Sequence, residues 1–170
     1  MKKTIFTLML MIASAITVNA QSLTGKEWCT MIPDEEGNEI ALEMEFKQNG
    51  LCEIELETKE NINEGGMNMV IEVDLDVPGT YTLEGKKLDV KLKKESAKID
   101  IDCDINGVDA QTKAMVKQMM KPELEKSKLE VQQEMLKSLP NLEGMSIVSL
   151  DDNTLVIADA SGKNITFHAK

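Results

Sequence analysis

Residues 97–109, AKIDIDCDINGVD, decide how this chain is divided. Ile99, Ile101 and Cys103 alternate with aspartates, which is the period-two pattern of a half-buried β-strand. The residues before this stretch repeat the same alternation several times, with Asn-Gly and Pro-Gly dipeptides between the runs. After it, apolar residues recur at helical spacing. We therefore predict a mainly β domain in which strands precede and follow one helical insertion.

Seven strands are predicted before the insertion and three after it. In the most regular run, residues 67–77, every odd position is apolar while Glu72, Asp74 and Asp76 lie on the opposite face. Pro78-Gly79 is predicted to end this strand. Because most links are short and parallel pairing needs crossovers of a dozen or more residues, we expect an antiparallel meander. About 8–10 strands favour an up-and-down β-barrel, with a two-sheet sandwich as the alternative.

The helical insertion is predicted at about residues 109–139, before the last three strands. Asp109 can cap its start, and apolar residues, many of them methionines, recur along it at helical spacing. Pro122 would break or kink a continuous helix, so we expect two helices or one bent helix that ends before Pro140. We interpret the methionine stripe as packing against the barrel, since methionine fills irregular gaps.

Residues 1–20 have the features of a secretory signal peptide. Two lysines precede an apolar run between residues 5 and 16, and small residues up to Ala20 form a cleavage site. The apolar run is shorter than the roughly 20 residues that a membrane anchor needs. We therefore expect cleavage after Ala20, no membrane span after it, and one exported domain of residues 21–170. Its destination would be the periplasm, the cell surface or the extracellular medium.

The net negative charge of the chain makes nucleic acids unfavourable partners. The chain has 30 acidic against 19 basic residues, a formal net charge of −11, and no arginine. Its field repels polyanions such as nucleic acids, and arginine is the usual side chain for bidentate phosphate recognition. We therefore expect no nucleic-acid partner.

The three cysteines allow at most one intramolecular disulfide. Cys52 and Cys103 each share strand parity with apolar neighbours, so both should face the core. Two interpretations remain open. One is a Cys52 to Cys103 disulfide, worth about 4 kcal/mol in the loop-entropy account. The other is a set of buried free thiols that pack as small hydrophobic side chains.

A short acidic motif resembles part of a calcium site. Asp102, Asp104 and Asn106, followed by Gly107, match the first half of an EF-hand loop, in which oxygen ligands alternate. The twelfth position of such a loop should be a glutamate but is Lys113. We therefore favour the interpretation that this is the acidic outer face of a strand. Acids on the outer faces of four strands form an alternative, broader cation-binding patch.

The sequence offers little for catalysis. The sole histidine, His168, lies two residues from the C-terminus, where chain ends fray. The alternating acids have no aromatic platform beside them to hold a sugar, and one histidine cannot build a multi-histidine metal site. We predict that the protein is not an enzyme and carries no cofactor.

The order of several short motifs resembles that of the small lipocalin-like, or calycin-like, β-barrel domains exported by Bacteroidota. These motifs are Leu23-Thr24-Gly25 before Trp28, Phe46 before Asn49-Gly50, Tyr81–Gly85 before Leu88, Ser146–Leu150 before Thr154-Leu155-Val156, and a glycine-turn hairpin ending in Phe167. The resemblance implies an up-and-down barrel, with Trp28 plugging one end and an internal pocket.

A small ligand inside the barrel is the leading functional hypothesis. The predicted inward side chains are apolar, so the ligand should be apolar or amphipathic. The alternatives are an interior filled by its own side chains, or a protein-interaction or structural module of the cell envelope that uses the helical insertion. The candidate pocket residues are Trp28, Leu42, Met44, Ile54, Met69, Ile71, Val73, Val90 and Ile101.

Overall fold

The computed structural model describes residues 23–33, 39–64 and 66–170, so the predicted signal peptide lies outside the described residues. The described chain is mainly β, as predicted. Its strands are β1 (Glu27–Pro33), β2 (Glu39–Phe46), β3 (Leu51–Glu64), β4 (Met67–Glu84), β5 (Lys87–Leu92), β6 (Lys98–Asn106), β7 (Met145–Leu150), β8 (Thr154–Ala158) and β9 (Asn164–Ala169). A 3₁₀ turn (Lys94–Ser96) precedes β6, and helix α1 (Ala110–Ser138) lies between β6 and β7.

All nine strands belong to one antiparallel sheet, in the order β3-β2-β1-β9-β8-β7-β5-β4-β6, with a further pairing between β3 and β4. The predicted antiparallel pairing, the single helical insertion and its place before the last three strands are therefore confirmed, whereas the strand order departs from a simple meander because β6 pairs with β4 and β5 pairs with β7. Strand β4 pairs with β3 on one side, and with β6 and then β5 on the other.

The prediction that Pro78-Gly79 ends a strand is wrong, because β4 continues through both residues. The missing N–H of Pro78 costs no ladder bond, since this residue lies where the partner changes from β6, paired up to Asp76, to β5, paired from Gly79. Gly79 permits a close approach: a Cβ there would lie 2.8 Å from the carbonyl oxygen of Lys91 and 3.0 Å from the sulfur of Cys52. Six strands, not seven, therefore precede α1.

Helix α1 is one element with Pro122 inside it, so the structure shows a single helix, one of the two predicted alternatives, rather than a pair of helices. Asp109 caps the start as predicted, because its carboxylate accepts hydrogen bonds from the backbone N–H groups of Gln111 and Thr112, each at 3.0 Å. Contacts with β6 on both sides of Pro122 hold the helix. Lys113 pairs with Asp104 before the proline, and the ammonium of Lys128 lies 3.7 Å from a carboxylate oxygen of Asp100 after it.

The interior contains one densely packed region, which we call the packed core. It surrounds Trp28, Phe46 and Phe167, all essentially inaccessible to solvent. The indole N–H of Trp28 donates to the carbonyl of Leu23 at 3.0 Å, so its one polar atom is satisfied. Tyr81 meets Phe46 edge to face, with ring centroids 5.0 Å apart. All four aromatic side chains of the described residues, apart from histidine, are therefore buried.

Candidate helix–sheet cavity

A cavity of about 780 Å³ lies between the inner face of the sheet and α1. We call it the helix–sheet cavity. Its volume falls in the range of about 300–1,000 Å³ that is typical of small-molecule sites. The apolar part of its lining is Ile40, Ile71, Val73, Ile101, Leu124, Val131 and Met135. The polar part is Glu39, Thr58, Lys59, Glu60, Ser127, Glu134 and Ser138.

Strand and helix periodicity bring the apolar lining together. Ile71 and Val73 share one face of β4, and Val73 lies directly opposite Ile101 in the pairing with β6. On α1, Leu124 and Val131 are seven residues apart, so they lie on the same side of the helix. The sheet and the helix therefore face each other with aliphatic side chains across the cavity.

Acidic side chains dominate the charged rim. Glu39, Glu60 and Glu134 are exposed lining residues, and none of them forms an ion pair with another described residue. The only lysine of the lining, Lys59, holds its ammonium group 2.6 Å from a carboxylate oxygen of Glu57 and 2.8 Å from one of Glu72. The lysine is thus neutralised outside the cavity.

The predicted pocket residues separate into two groups. Ile71, Val73 and Ile101 line the helix–sheet cavity, and they also border the packed core, because Val73 is a buried member of it and the two isoleucines pack against it. Met69 is half-buried on β4 and does not line it. The others are buried side chains of the packed core: Trp28, Leu42, Met44, Ile54 and Val90.

Sequence reasoning missed the contribution of α1 and the acidic rim. The spacing of Leu124, Val131 and Met135 marks one apolar side of the helix and could have suggested a second wall. Nothing in the sequence showed that this side would face Ile71 and Val73 across a gap, because that depends on how α1 docks on β6.

The candidate calcium ligands are engaged with protein groups. Lys113 donates to the carboxylate of Asp104, the side-chain amide of Asn106 lies 3.3 Å from the same carboxylate, and Lys117 lies 3.7 Å from Asp102. The hydrogen bond from Lys113 holds the pKa of Asp104 below its usual value. These side chains attach α1 to β6.

A second acidic group lies on the outer face of the sheet. Carboxylate oxygens of Glu57, Glu72 and Asp74 all lie within 4.8 Å of one another. Burial, with repulsion from Glu57 and Glu72, raises the pKa of Asp74, whereas the hydrogen bond from Lys59 lowers that of Glu57. The ammonium of Lys59 already supplies positive charge to this group.

The three cysteines are free thiols, so the predicted alternative of a Cys52 to Cys103 disulfide is not the one that the structure adopts. Cys52 lies opposite Gly79 and Cys103 opposite Ile71, which are eight residues apart on β4. At about 3.3 Å per residue the separation along the strand is roughly 26 Å, against the 7 Å limit for the Cα atoms of a disulfide. Burial raises the pKa of the Cys52 thiol to about 11.

The chain matches no protein-family model, and a search of curated proteins found no significant match. Among the described residues, no helix is both long enough and apolar enough to cross a lipid bilayer.

Proposed function

We propose that this chain is an exported, non-enzymatic lipocalin-like barrel that binds a small apolar or amphipathic molecule in the helix–sheet cavity. The observation that carries the proposal is a partly open cavity of about 780 Å³ in which aliphatic side chains from β2, β4, β6 and α1 make up half of the lining residues and polar side chains the other half. Burial of apolar ligand surface would supply about 25 cal/mol per Å² before the cost of binding.

The strand pairing supports a barrel rather than a sandwich. Pairing runs from β3 through β2, β1, β9, β8, β7 and β5 to β4, and β4 pairs again with β3. A sequence of pairings that returns to its first strand is expected for a closed barrel of eight strands, with β6 as an additional strand beside β4. Trp28, fully buried, is consistent with the end plug of the lipocalin resemblance.

The composition of the cavity supports binding rather than catalysis. Its lining contains no histidine or cysteine, and its two serines donate to helix carbonyls, Ser127 to Leu124 at 2.9 Å and Ser138 to Glu134 at 3.4 Å. No serine in the lining is therefore paired with a base in the arrangement that nucleophilic catalysis uses.

Native mass spectrometry of the protein purified from its own host tests the proposal. We expect a species heavier than the polypeptide, with a mass difference that disappears on unfolding. Val131→Phe should remove it, because the ring would enter the cavity, whereas Val148→Phe, at an exposed position of β7 outside the lining, should retain it. The bare polypeptide mass for the unsubstituted protein would contradict the proposal.

A second candidate function, interaction with another envelope protein through α1, is favoured by an exposed apolar side of this helix. Met115, Met119 and Leu129 are 57%, 71% and 66% exposed, and their spacing places them on one side. The double change Met119→Glu with Leu129→Glu should abolish co-purification of such a partner. Met31→Glu, at a similarly exposed residue of β1, should not. Equal recovery with both variants would contradict this function.

A further inference from the structure

The charge at the rim of the helix–sheet cavity restricts which ligand fits it. Glu39 at the start of β2, Glu60 in β3 and Glu134 near the end of α1 come from three separate elements and are exposed beside the apolar lining. None of these carboxylates is paired with a lysine of the described residues, and Lys59 is engaged with Glu57 and Glu72. A charged group that enters here meets uncompensated negative charge.

The end of α1 adds to this field. Met135 and Ser138 belong to the lining, so the last turn of the helix, which also carries Lys137, borders the cavity. The last carbonyl groups of a helix carry a partial negative charge. Lys94 neutralises part of it by donating to the carbonyl of Leu136 at 3.3 Å. The last turn of the helix and the three carboxylates therefore both give the border of the cavity negative potential, which favours a cation over an anion there.

We propose that the ligand is a cationic amphiphile, an apolar chain or ring system that carries a protonated amine. This inference rests on the proposed function, because it specifies the ligand of the same cavity. The apolar part packs between Ile71 and Val73 of the sheet and Val131 of the helix. The ammonium group lies at the rim among the carboxylates. An anionic amphiphile, such as a fatty acid, would place its own carboxylate among like charges.

Three probes that share a dodecyl group but differ in the charge of the head group test whether the ligand is cationic. Dodecylammonium, dodecanol and dodecanoate are titrated into the protein by calorimetry at low ionic strength, the two ions below their critical micelle concentrations and dodecanol below its solubility limit. We expect dodecylammonium to bind about tenfold more tightly than dodecanoate, with dodecanol between them. The preference should decrease at about 1 M salt, where the Debye length falls to roughly 3 Å.

Matched variants separate the rim from the overall negative charge of the protein. In the rim variant, Glu39, Glu60 and Glu134 are each changed to glutamine, which should bring the affinities for the three probes together while dodecanol binding is retained. The control variant makes the same change in net charge at exposed glutamates outside the cavity and should keep the preference. Its substitutions are Glu84→Gln, Glu95→Gln and Glu143→Gln.

The outcomes distinguish the two proposals. Equal affinities for the three probes, tighter binding of dodecanoate, or the same loss of preference in both triple variants would overturn the inference and leave the proposed function standing. If none of the probes bound to the unsubstituted protein, the proposed function would fail, and the inference with it.

Discussion

The packed core and the helix–sheet cavity are built from the same sheet but are filled differently. Trp28, Phe46 and Phe167 fill the packed core, whereas none of the described aromatic side chains lines the cavity. Protein interiors normally close such gaps, because unfilled space loses dispersion contacts. Here polar contacts, such as those of Lys113 with Asp104 and Lys128 with Asp100, fix α1 against β6. The difference indicates that the helix is positioned by its polar contacts as well as by packing.

The largest expected effect on the free energy of unfolding is the difference between truncating a side chain of the packed core and truncating one that lines the cavity. Leu155→Ala, in the packed core, should lower the free energy of unfolding by about 2–5 kcal/mol, because it leaves a cavity among buried neighbours. Ile71→Ala should cost about 1 kcal/mol, since this half-buried side chain already borders an open space. Urea denaturation measures both. Equal losses would mean that the cavity is as densely packed as the core.

Loosening α1 tests whether polar contacts position it. Asp104→Asn weakens the contacts with Lys113 and Lys117, so amide hydrogen exchange in α1 should become severalfold faster while exchange in β8 is unchanged. Asp152→Asn removes an exposed contact with Lys26, remote from the helix, and is the matched control. Unchanged exchange in α1 would show that apolar packing alone holds the helix.

The contact between Asp104 and Lys113 also predicts that the attachment of α1 to the sheet depends on pH. Because the pKa of Asp104 is lowered in the folded state, its stabilising contribution is present above the unfolded pKa of about 3.9 and is lost as the pH falls towards the lower folded value. The protection of the α1 amides, expressed as exchange relative to the intrinsic rate at each pH, should therefore decrease below about pH 4 in the unsubstituted protein and change less in the Asp104→Asn variant. Identical pH profiles for the two proteins would contradict the assignment.

A smaller effect is expected on the outer face, where acids oppose one another. Asp74→Asn should raise the free energy of unfolding at pH 7 by a few tenths of a kcal/mol, because Asp74 lies opposite both Glu57 and Asp100. The pKa of Asp74 is raised on folding, so the gain should disappear as the pH falls below about 4, where Asp74 itself is protonated. Glu95→Gln, remote from these pairs, should show no gain in urea denaturation. A loss of stability in Asp74→Asn would contradict the repulsion.

The smallest effect on the free energy of unfolding is predicted for treatment with a reducing agent. With three free thiols, dithiothreitol should leave the free energy of unfolding unchanged, and a thiol reagent should count three groups after unfolding. A Cys52 to Cys103 bridge would instead be worth about 4 kcal/mol. A marked fall in stability on reduction would show that the oxidised protein contains a disulfide.

Local patterns predicted the strands and the start and end of α1, because alternation and capping depend on neighbouring residues. Three features depended on contacts distant in sequence. Pro78 continues a strand because its partner changes there, and Pro122 stays within a helix that β6 supports. The cavity required the docking of α1 as well. Strand parity therefore identified Ile71, Val73 and Ile101 but could not separate them from the filled core.

Methyl NMR of isoleucine, valine, leucine and methionine during titration with dodecanol tests the central claim most directly, because a neutral probe does not depend on the charge of the rim. We predict chemical-shift changes concentrated at Ile71, Val73, Ile101, Val131 and Met135, with Leu155 and Ile157 of the packed core unaffected. Changes confined to the exposed methionines of α1, or no changes at all, would contradict ligand binding in the helix–sheet cavity.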